Sequence, residues 1–152
     1  MNFILFDDHS WDQMLPLTFT RPVSDLRIGI LKIREKWQKH LNSEIRILTR
    51  EYLREKFPVN YQKENTLINS CLLPSTIILN KIKELKVGEA ILHNRRILAI
   101  RLNEDENNRI IRCQKQLYVS SPSLPPPAAY ILSQLVTGLR RLTSRIKLIN
   151  FN

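Results

Sequence analysis

Cysteine is scarce in this chain, and long hydrophobic runs are missing. The two cysteines, Cys71 and Cys113, lack CxxC spacing, so they indicate neither a disulfide framework nor a zinc site. Residues 1–8, MNFILFDD, hold only a few apolar residues before two aspartates, too few for a signal peptide or a membrane span. We therefore expect a cytoplasmic protein, in a reducing compartment, with no transmembrane segment.

Acidic residues are absent from residue 107 onward. All 14 Asp and Glu lie at or before Glu106 together with 17 of the 24 Lys and Arg, which leaves 24 − 17 = 7 basic residues in an acid-free tail. Most of the formal net charge of +10 therefore belongs to the tail. RNA-binding sheets interleave basic and aromatic residues, and no such pattern recurs here, which argues against nucleic acid as the main partner.

The remaining composition is typical of one folded domain. Hydrophobic residues make up 43% and charged residues 25% of the 152 residues, enough for a single packed core. Short apolar runs at 2–6, 44–48 and 66–68 predict buried strands. A helical pattern follows each run, so strand and helix alternate three times. This alternation predicts an α/β fold, Rossmann-like, with a mainly parallel sheet and flanking helices.

Three helices are predicted between and after these strands. The first has apolar residues at steps of three and four, namely Leu26, Ile30, Ile33, Trp37 and Leu41. Ser24 or Asp25 can cap its start. The second runs from Thr49 to Phe57 before Pro58, and the third opens at Ser75 and runs to Leu85.

The last third of the chain changes character. Residues 90–92 and 97–102 are β-rich and are joined by His-Asn-Arg, which predicts a late β-hairpin. SSPSLPPP at 120–127 suits neither a helix nor a central strand. Apolar residues then return at helical spacing with basic residues near the end, which predicts an amphipathic helix. The predicted organisation is an α/β domain at 1–118, a Pro/Ser-rich linker at 119–127 and a basic helical tail at 128–152.

The loop after the first strand carries Arg21 and Arg27. In doubly wound sheets, ligands bind beyond the carboxyl ends of the strands. The planar fork of arginine suits phosphate, and the start of the following helix adds N–H donors. Solvated surface arginines are an equally good interpretation of position alone, so both readings stay open here.

The residues of this loop and three other segments point to a family. LPLTFTRPVSDLRIGILKIREKW at 15–37, with FILFDD, TLINSCLLPS and KVGEAIL, resembles the N-terminal domain of bacterial sugar nucleotidyltransferases. It is similar to the divergent branch related to the bifunctional N-acetylglucosamine-1-phosphate uridyltransferase and glucosamine-1-phosphate acetyltransferase. The resemblance covers residues 1–105. It implies that a nucleoside triphosphate and a sugar 1-phosphate, UTP and N-acetylglucosamine 1-phosphate above all, react with release of pyrophosphate, with Mg²⁺ as cofactor.

The resemblance also implies roles for single residues. Thr20 and Arg21 match the family's Thr-Arg, so Arg21 would hold the triphosphate leaving group, and Arg27 would hold a phosphate of nucleotide or sugar. Lys36 would be a further phosphate ligand, or a solvated lysine of the helix. Because this reaction depends on positioning and charge neutralisation, Arg21 and Arg27 are the catalytic candidates.

The sequence also departs from the family. Leu17-Thr18-Phe19 stands where a Gly-rich turn would precede Thr-Arg, and no acid stands at 69–71, where a carboxylate would hold magnesium. Asp7 and Asp8 are the nearest carboxylates and are either metal ligands or strand terminators. Neither hexapeptide repeats nor the rest of a sugar pocket is visible.

These departures leave three alternatives. The first is a shortened nucleotidyltransferase domain, with or without activity by itself. The second is a protein whose basic tail binds anionic lipid or nucleic-acid phosphates. The third is a folded fragment without activity. No pattern in the sequence indicates the oligomeric state.

Overall fold

A six-stranded sheet forms the centre of the computed structural model, which describes residues 1–94, 96–109 and 147–151. In chain order the strands are β1 (Asn2–Phe6), β2 (Arg27–Ile28), β3 (Leu31–Lys32), β4 (Ile45–Leu48), β5 (Asn65–Asn69), β6 (Glu89–His93), β7 (Arg96–Leu102) and β8 (Lys147–Asn150). The large sheet has the order β4-β1-β5-β7-β6-β8, and β2 and β3 form a separate antiparallel pair. Strand β1 pairs in parallel with β4 and β5, and β6 with β8. Only β7 runs antiparallel to its neighbours, which confirms the mainly parallel α/β fold.

Short helices connect the strands. They are α1 (Ser10–Gln13), α2 (Ile33–Leu41) and α3 (Thr76–Glu84), with single 3-10 turns at Val23–Asp25 and Glu51–Leu53. Ser75 caps α3 as expected, since its hydroxyl accepts a hydrogen bond from the N–H of Ile78. The late hairpin is also confirmed: β6 and β7 pair across Asn94, which takes a left-handed conformation with φ 48°.

The core lies on both faces of the sheet. Alternate residues of a strand point to opposite faces, and β1 follows this rule. Phe3 and Leu5 pack with the buried faces of α2 and α3. Ile4 and Phe6 pack on the other face, where Val59 and Tyr61 of the β4–β5 connection cover them. A central parallel strand requires that both of its faces be buried. Here helices cover one face of β1 and the β4–β5 connection covers the other.

The predicted first helix was too long, because α2 begins only at Ile33. Residues 27–32 form the β2–β3 hairpin, which turns at Gly29 with φ 72°. Ile30 is 87% exposed at this turn, so its helical spacing was coincidental. Lys32 is the N-cap residue, and its N–H donates to Glu35 Oε2 at 2.8 Å. Neither predicted cap residue therefore starts the helix.

One other local prediction was wrong. The predicted helix at 49–57 is only the 3-10 turn Glu51–Leu53, because the Thr49 hydroxyl donates to Asp7 instead of capping a helix. After β7, residues 104–109 are helical. Asn103 caps them, since its Oδ1 accepts from the N–H of Glu106 at 2.9 Å while Glu106 accepts in return.

The tail meets the sheet where it is described. Lys147–Asn150 is strand β8, paired with β6 in register Ala90↔Leu148, so the helical prediction was wrong for these residues. The predicted linker and the rest of the tail lie outside the described residues, as does Cys113. The proposed division of the chain at 118 stays a prediction.

Candidate active site

Polar residues meet at one edge of the large sheet. Because β1, β4 and β5 are parallel, their carboxyl ends share an edge. The residues that follow these strands are Asp7 and Asp8 after β1, Thr49 and Arg50 after β4, and Asn69 and Ser70 after β5. Strand β7 runs the other way, so its first residue, Arg96, lies at the same edge. In open α/β sheets this edge is where ligands bind.

Asp7 is buried at this edge and holds neighbouring segments together. Its Oδ2 accepts a hydrogen bond from the Thr49 hydroxyl at 2.6 Å, and its Oδ1 accepts one from the N–H of Val23 at 3.2 Å. Burial raises the pKa of Asp7 to about 6, while hydrogen bonds from Thr49 and Val23 limit the rise. The carboxyl group thus joins β1, β4 and the loop before α2.

Asp8 faces a different set of partners and is 2% exposed. Arg96 donates to both of its oxygens, Nε to Oδ2 at 2.6 Å and Nη2 to Oδ1 at 2.9 Å. The Asn69 amide donates to Oδ2 at 2.9 Å, and the N–H of Ser10 donates to Oδ1 at 2.9 Å. Burial would raise the pKa of Asp8, but these hydrogen bonds outweigh it and hold the pKa at about 2. Asp8 is therefore ionised at neutral pH.

The loop before α2 lies over the carboxyl ends of β1 and β4. The Thr18 hydroxyl donates to the Trp11 carbonyl at 2.6 Å, and the Tyr52 hydroxyl donates to the Phe19 carbonyl at 2.5 Å. Val23 is bound to Asp7, as described above. The loop therefore has three hydrogen-bonded anchors, on α1, on the segment after β4 and on the end of β1.

The predicted substrate residues divide between two surfaces. Thr20 and Arg21 are exposed in this loop, two to three residues before Val23. Arg27 is exposed on β2, and its Nη1 donates to the Ile30 carbonyl at 3.2 Å. Lys36 lies on α2, where it lines a shallow cleft of about 310 Å³ together with Lys39, His40, Leu31, Leu73 and Pro74. The structure thus places Arg21 at the carboxyl edge and Lys36 on the helical face.

The two candidate metal ligands do not fit a divalent cation. Magnesium needs free carboxylate oxygens in a near-octahedral arrangement, whereas both oxygens of Asp7 and of Asp8 already accept hydrogen bonds from protein donors. Within the described ranges, no group of three His, Cys, Asp or Glu residues is placed to hold a metal ion. Asp7 and Asp8 act here as hydrogen-bond acceptors that tie loops to the sheet.

Arg96 is the residue at this edge that sequence reasoning missed. Asp8 and Arg96 are 88 positions apart, and nothing local in the hairpin sequence marks Arg96 as different from Arg101 on the same strand. Only the antiparallel pairing of β7 with β5 brings the start of β7 to the carboxyl ends of the parallel strands. The apolar pattern of the hairpin would have given its strands but not their place in the sheet.

The topology and the polar edge define an α/β protein with a nucleotidyltransferase-like fold. A family model described as sugar nucleotidyl transferase matches residues 3–152, so the chain belongs to the sugar nucleotidyl transferase family. This confirms the general resemblance, while the particular branch stays a prediction. No curated protein matches the chain. Among the described residues, no helix has the length and apolarity needed to cross a membrane.

Proposed function

We propose that this chain transfers a nucleotidyl group from a nucleoside triphosphate to a sugar 1-phosphate, with UTP and N-acetylglucosamine 1-phosphate as its substrates. In this reaction an oxygen of the sugar phosphate forms a bond to the α-phosphorus, the bond from that phosphorus to the β-phosphate bridge breaks, and pyrophosphate leaves. The family match supports the reaction class. The observation that carries the proposal is the position of Arg21.

Arg21 is an exposed cation held near the carboxyl end of β1. Its side chain makes no hydrogen bond or ion pair with any other residue in the described ranges, and Val23, two residues later, is bound to the buried carboxylate of Asp7 at 3.2 Å. The backbone around Arg21 is thus fixed while its guanidinium remains available. A guanidinium in this state binds phosphate through parallel charge-assisted hydrogen bonds.

The roles follow from charge. Both reactants are anions, so cations that neutralise them lower the barrier more than any covalent step by the protein would. Thr20 and Arg21 hold the triphosphate and stabilise the departing pyrophosphate, and Arg27 holds a phosphate of nucleotide or sugar. Lys36, on its separate cleft, is the weakest member of this set because a helix face places it away from the loop anchors.

In this proposal, magnesium binds together with the nucleotide. The family resemblance predicts it as cofactor, where it would offset phosphate charge. Since the oxygens of Asp7 and Asp8 already accept hydrogen bonds from protein donors, these two carboxylates would not bind the ion. A cytoplasmic location, where nucleoside triphosphates are abundant, belongs to the same proposal.

Calorimetric titration tests the proposal directly. The protein is titrated with UTP, dTTP and N-acetylglucosamine 1-phosphate, with and without Mg²⁺, and pyrophosphate release is measured when both substrates are present. We expect saturable UTP binding that Arg21→Ala weakens about tenfold or more, as loss of a charged hydrogen bond does. Arg46→Ala is the matched control, because Arg46 lies on the edge strand β4 and pairs with Glu44 on the surface.

Three results would decide against parts of this proposal. Absence of nucleotide binding at millimolar concentration would reject nucleotidyl transfer by this chain. Equal losses in Arg21→Ala and Arg46→Ala would reject the assigned role of Arg21. Tighter binding of dTTP than of UTP would keep the reaction class and replace the proposed base.

A further inference from the structure

In the Asp8–Arg96 pair, both carboxylate oxygens of Asp8 accept hydrogen bonds, whereas only some of the N–H groups of the Arg96 guanidinium donate to described oxygens. Four donors surround the two oxygens of Asp8, from Arg96, Asn69 and Ser10. Arg96 gives Nε and Nη2 to Asp8, and Nη2 also donates to the Ser10 hydroxyl. No described oxygen accepts from Nη1, although the guanidinium also interacts with the Cys71 thiol. The Arg96 side chain keeps 36% exposure. The bonds to Asp8 therefore fix one edge of the guanidinium, and part of the group stays accessible.

The place of Arg96 in the fold makes its accessible part important for ligand binding. Asp7 anchors the loop that carries Arg21, and Asp8, the next residue, anchors Arg96. Consecutive residues at the end of β1 thus bind the Arg96 guanidinium and the backbone of the loop that carries Arg21. A ligand with several linked phosphates has more anionic oxygens for two cations at one edge than a single phosphate has. Because the carboxylate fixes the fork of Arg96 in advance, less rotamer entropy is lost when a phosphate binds.

We propose that Arg96 is a polyphosphate-binding residue, positioned by Asp8, and that this arginine occupies the place at the carboxyl edge where a carboxylate-bound metal ion would otherwise stand. The inference rests on the proposed function for the identity of the nucleotide, but its chemistry concerns any di- or triphosphate. Asp8 is a positioning residue, because it acts through Arg96.

A purely structural role is the competing explanation of the Asp8–Arg96 pair. The bonds from Asp8 to Arg96, Asn69 and Ser10 join β1, β5, β7 and α1, which would stabilise the fold with no ligand at all. A purely structural role predicts that the loss of Arg96 changes the stability of the fold and no binding affinity. The proposal predicts two further changes of opposite sign: loss of polyphosphate affinity, and gain of divalent-cation affinity once the positive charge of Arg96 no longer neutralises Asp8.

The experiment measures both affinities in the full-length protein. Inorganic pyrophosphate and UTP are titrated by calorimetry, and Mn²⁺ alone is titrated by paramagnetic relaxation of water protons. The variants are Arg96→Gln, Arg96→Lys and, as a matched control, Arg101→Gln. Arg101 lies near the far end of the same strand, where it pairs with Glu64 and the Leu85 carbonyl.

We expect Arg96→Gln to weaken pyrophosphate and UTP about tenfold or more, and Arg101→Gln to change them by less than about twofold. Arg96→Lys should recover part of the loss, because it restores the charge without the fork. Mn²⁺ should bind Arg96→Gln more tightly than wild type, and Asp8→Asn added to Arg96→Gln should abolish the gain.

Each contrary result has a separate meaning. Unchanged pyrophosphate affinity in folded Arg96→Gln would overturn the proposal, and the purely structural role of the pair would remain. Mn²⁺ binding by wild type that Asp8→Asn removes would also overturn it, because Asp8 would then be a metal ligand. If wild type bound pyrophosphate in an Arg96-dependent way but bound no nucleotide, the proposed function would fail and this inference would stand. Binding of neither ligand by wild type would reject both.

Discussion

The hydroxyl of Thr49 donates a 2.6 Å hydrogen bond to the buried carboxyl group of Asp7, which joins the residues directly after β4 and β1. The N–H of Val23, in the loop before α2, also donates to Asp7, at 3.2 Å. One carboxyl group thus fixes the relative positions of three loops at the edge where we place the active site. Because its pKa is about 6, its charge changes mainly between about pH 5 and pH 7.

Asp7→Asn should alter how stability depends on pH. The folded-state pKa of Asp7 is raised from 3.8 to about 6, so its contribution to stability is full below pH 3.8 and is lost as pH rises through 6. Asn mimics the protonated acid. Relative to wild type, the variant should gain about 2 kcal/mol in free energy of unfolding between pH 4.5 and pH 8. Urea unfolding at both pH values measures this, and parallel pH profiles would contradict it.

Asp25→Ala should destabilise the loop before α2. Asp25 is buried and pairs with Lys32 Nζ at 2.8 Å and with Arg34 Nη2 at 3.1 Å. Its loss leaves two half-buried cations unpaired, which should cost about 1–3 kcal/mol. Glu44→Ala is the control, because the Glu44 side chain is 68% exposed and its pair should contribute less than about 1 kcal/mol. Similar urea midpoints for the two variants would show that the buried pair is no stronger than the surface one.

Ser75→Ala should weaken α3 at its start. The Ser75 hydroxyl is the acceptor for the N–H of Ile78, and loss of such a cap costs about 1 kcal/mol. Thr76→Ala changes the next residue, the first one inside the helix, and should have a smaller effect. Thermal unfolding of both variants separates the cap from a general change in helix propensity. If Thr76→Ala lowered Tm as much as Ser75→Ala, the cap would not be the cause.

Removal of residues 147–152 should destabilise the whole sheet. Strand β8 lies against β6, and the N–H of Phe151 donates to the Leu92 carbonyl at 2.7 Å. The Lys81 ammonium also lies 4.4 Å from the centre of the Phe151 ring. At about 1 kcal/mol for each lost hydrogen bond, the truncated chain should lose several kcal/mol. Removal of residue 152 alone is the control, and an unchanged urea midpoint after the longer truncation would mean that the tail folds apart from the sheet.

Local patterns predicted the strands better than the helices. The apolar runs at β1, β4 and β5 gave buried strands because each is short and ends at polar residues. The same reasoning failed at residues 26–32, where Leu26 and Ile30 kept helical spacing but a glycine turn and the ion pairs of Asp25 formed a hairpin. The spacing of apolar residues predicts which face of a helix is buried. It does not predict whether the chain forms a turn before the helix begins.

The position of one loop at the candidate site could be predicted, while the roles of its residues stay predictions. The loop with Thr20 and Arg21 was identified from its position after the first strand, and its exposed arginine lies near the end of that strand in the structure. The state of Asp7 and Asp8 could not be predicted, because their partners come from residues far away in the chain. Whether a carboxylate is free for a metal ion depends on those partners.

By itself, the sequence determined the fold class, the place of the loop that carries Thr20 and Arg21, and the family, because all three depend on local order along the chain: apolar runs, their alternation with helices, and the Thr-Arg-Pro segment after the first strand. Only the tertiary structure decided that Asp8 is matched with Arg96, that Asp7 is buried with a raised pKa, and that residues 147–150 complete the sheet. These facts depend on strand order, and strand order is set by long-range pairing that no local pattern encodes.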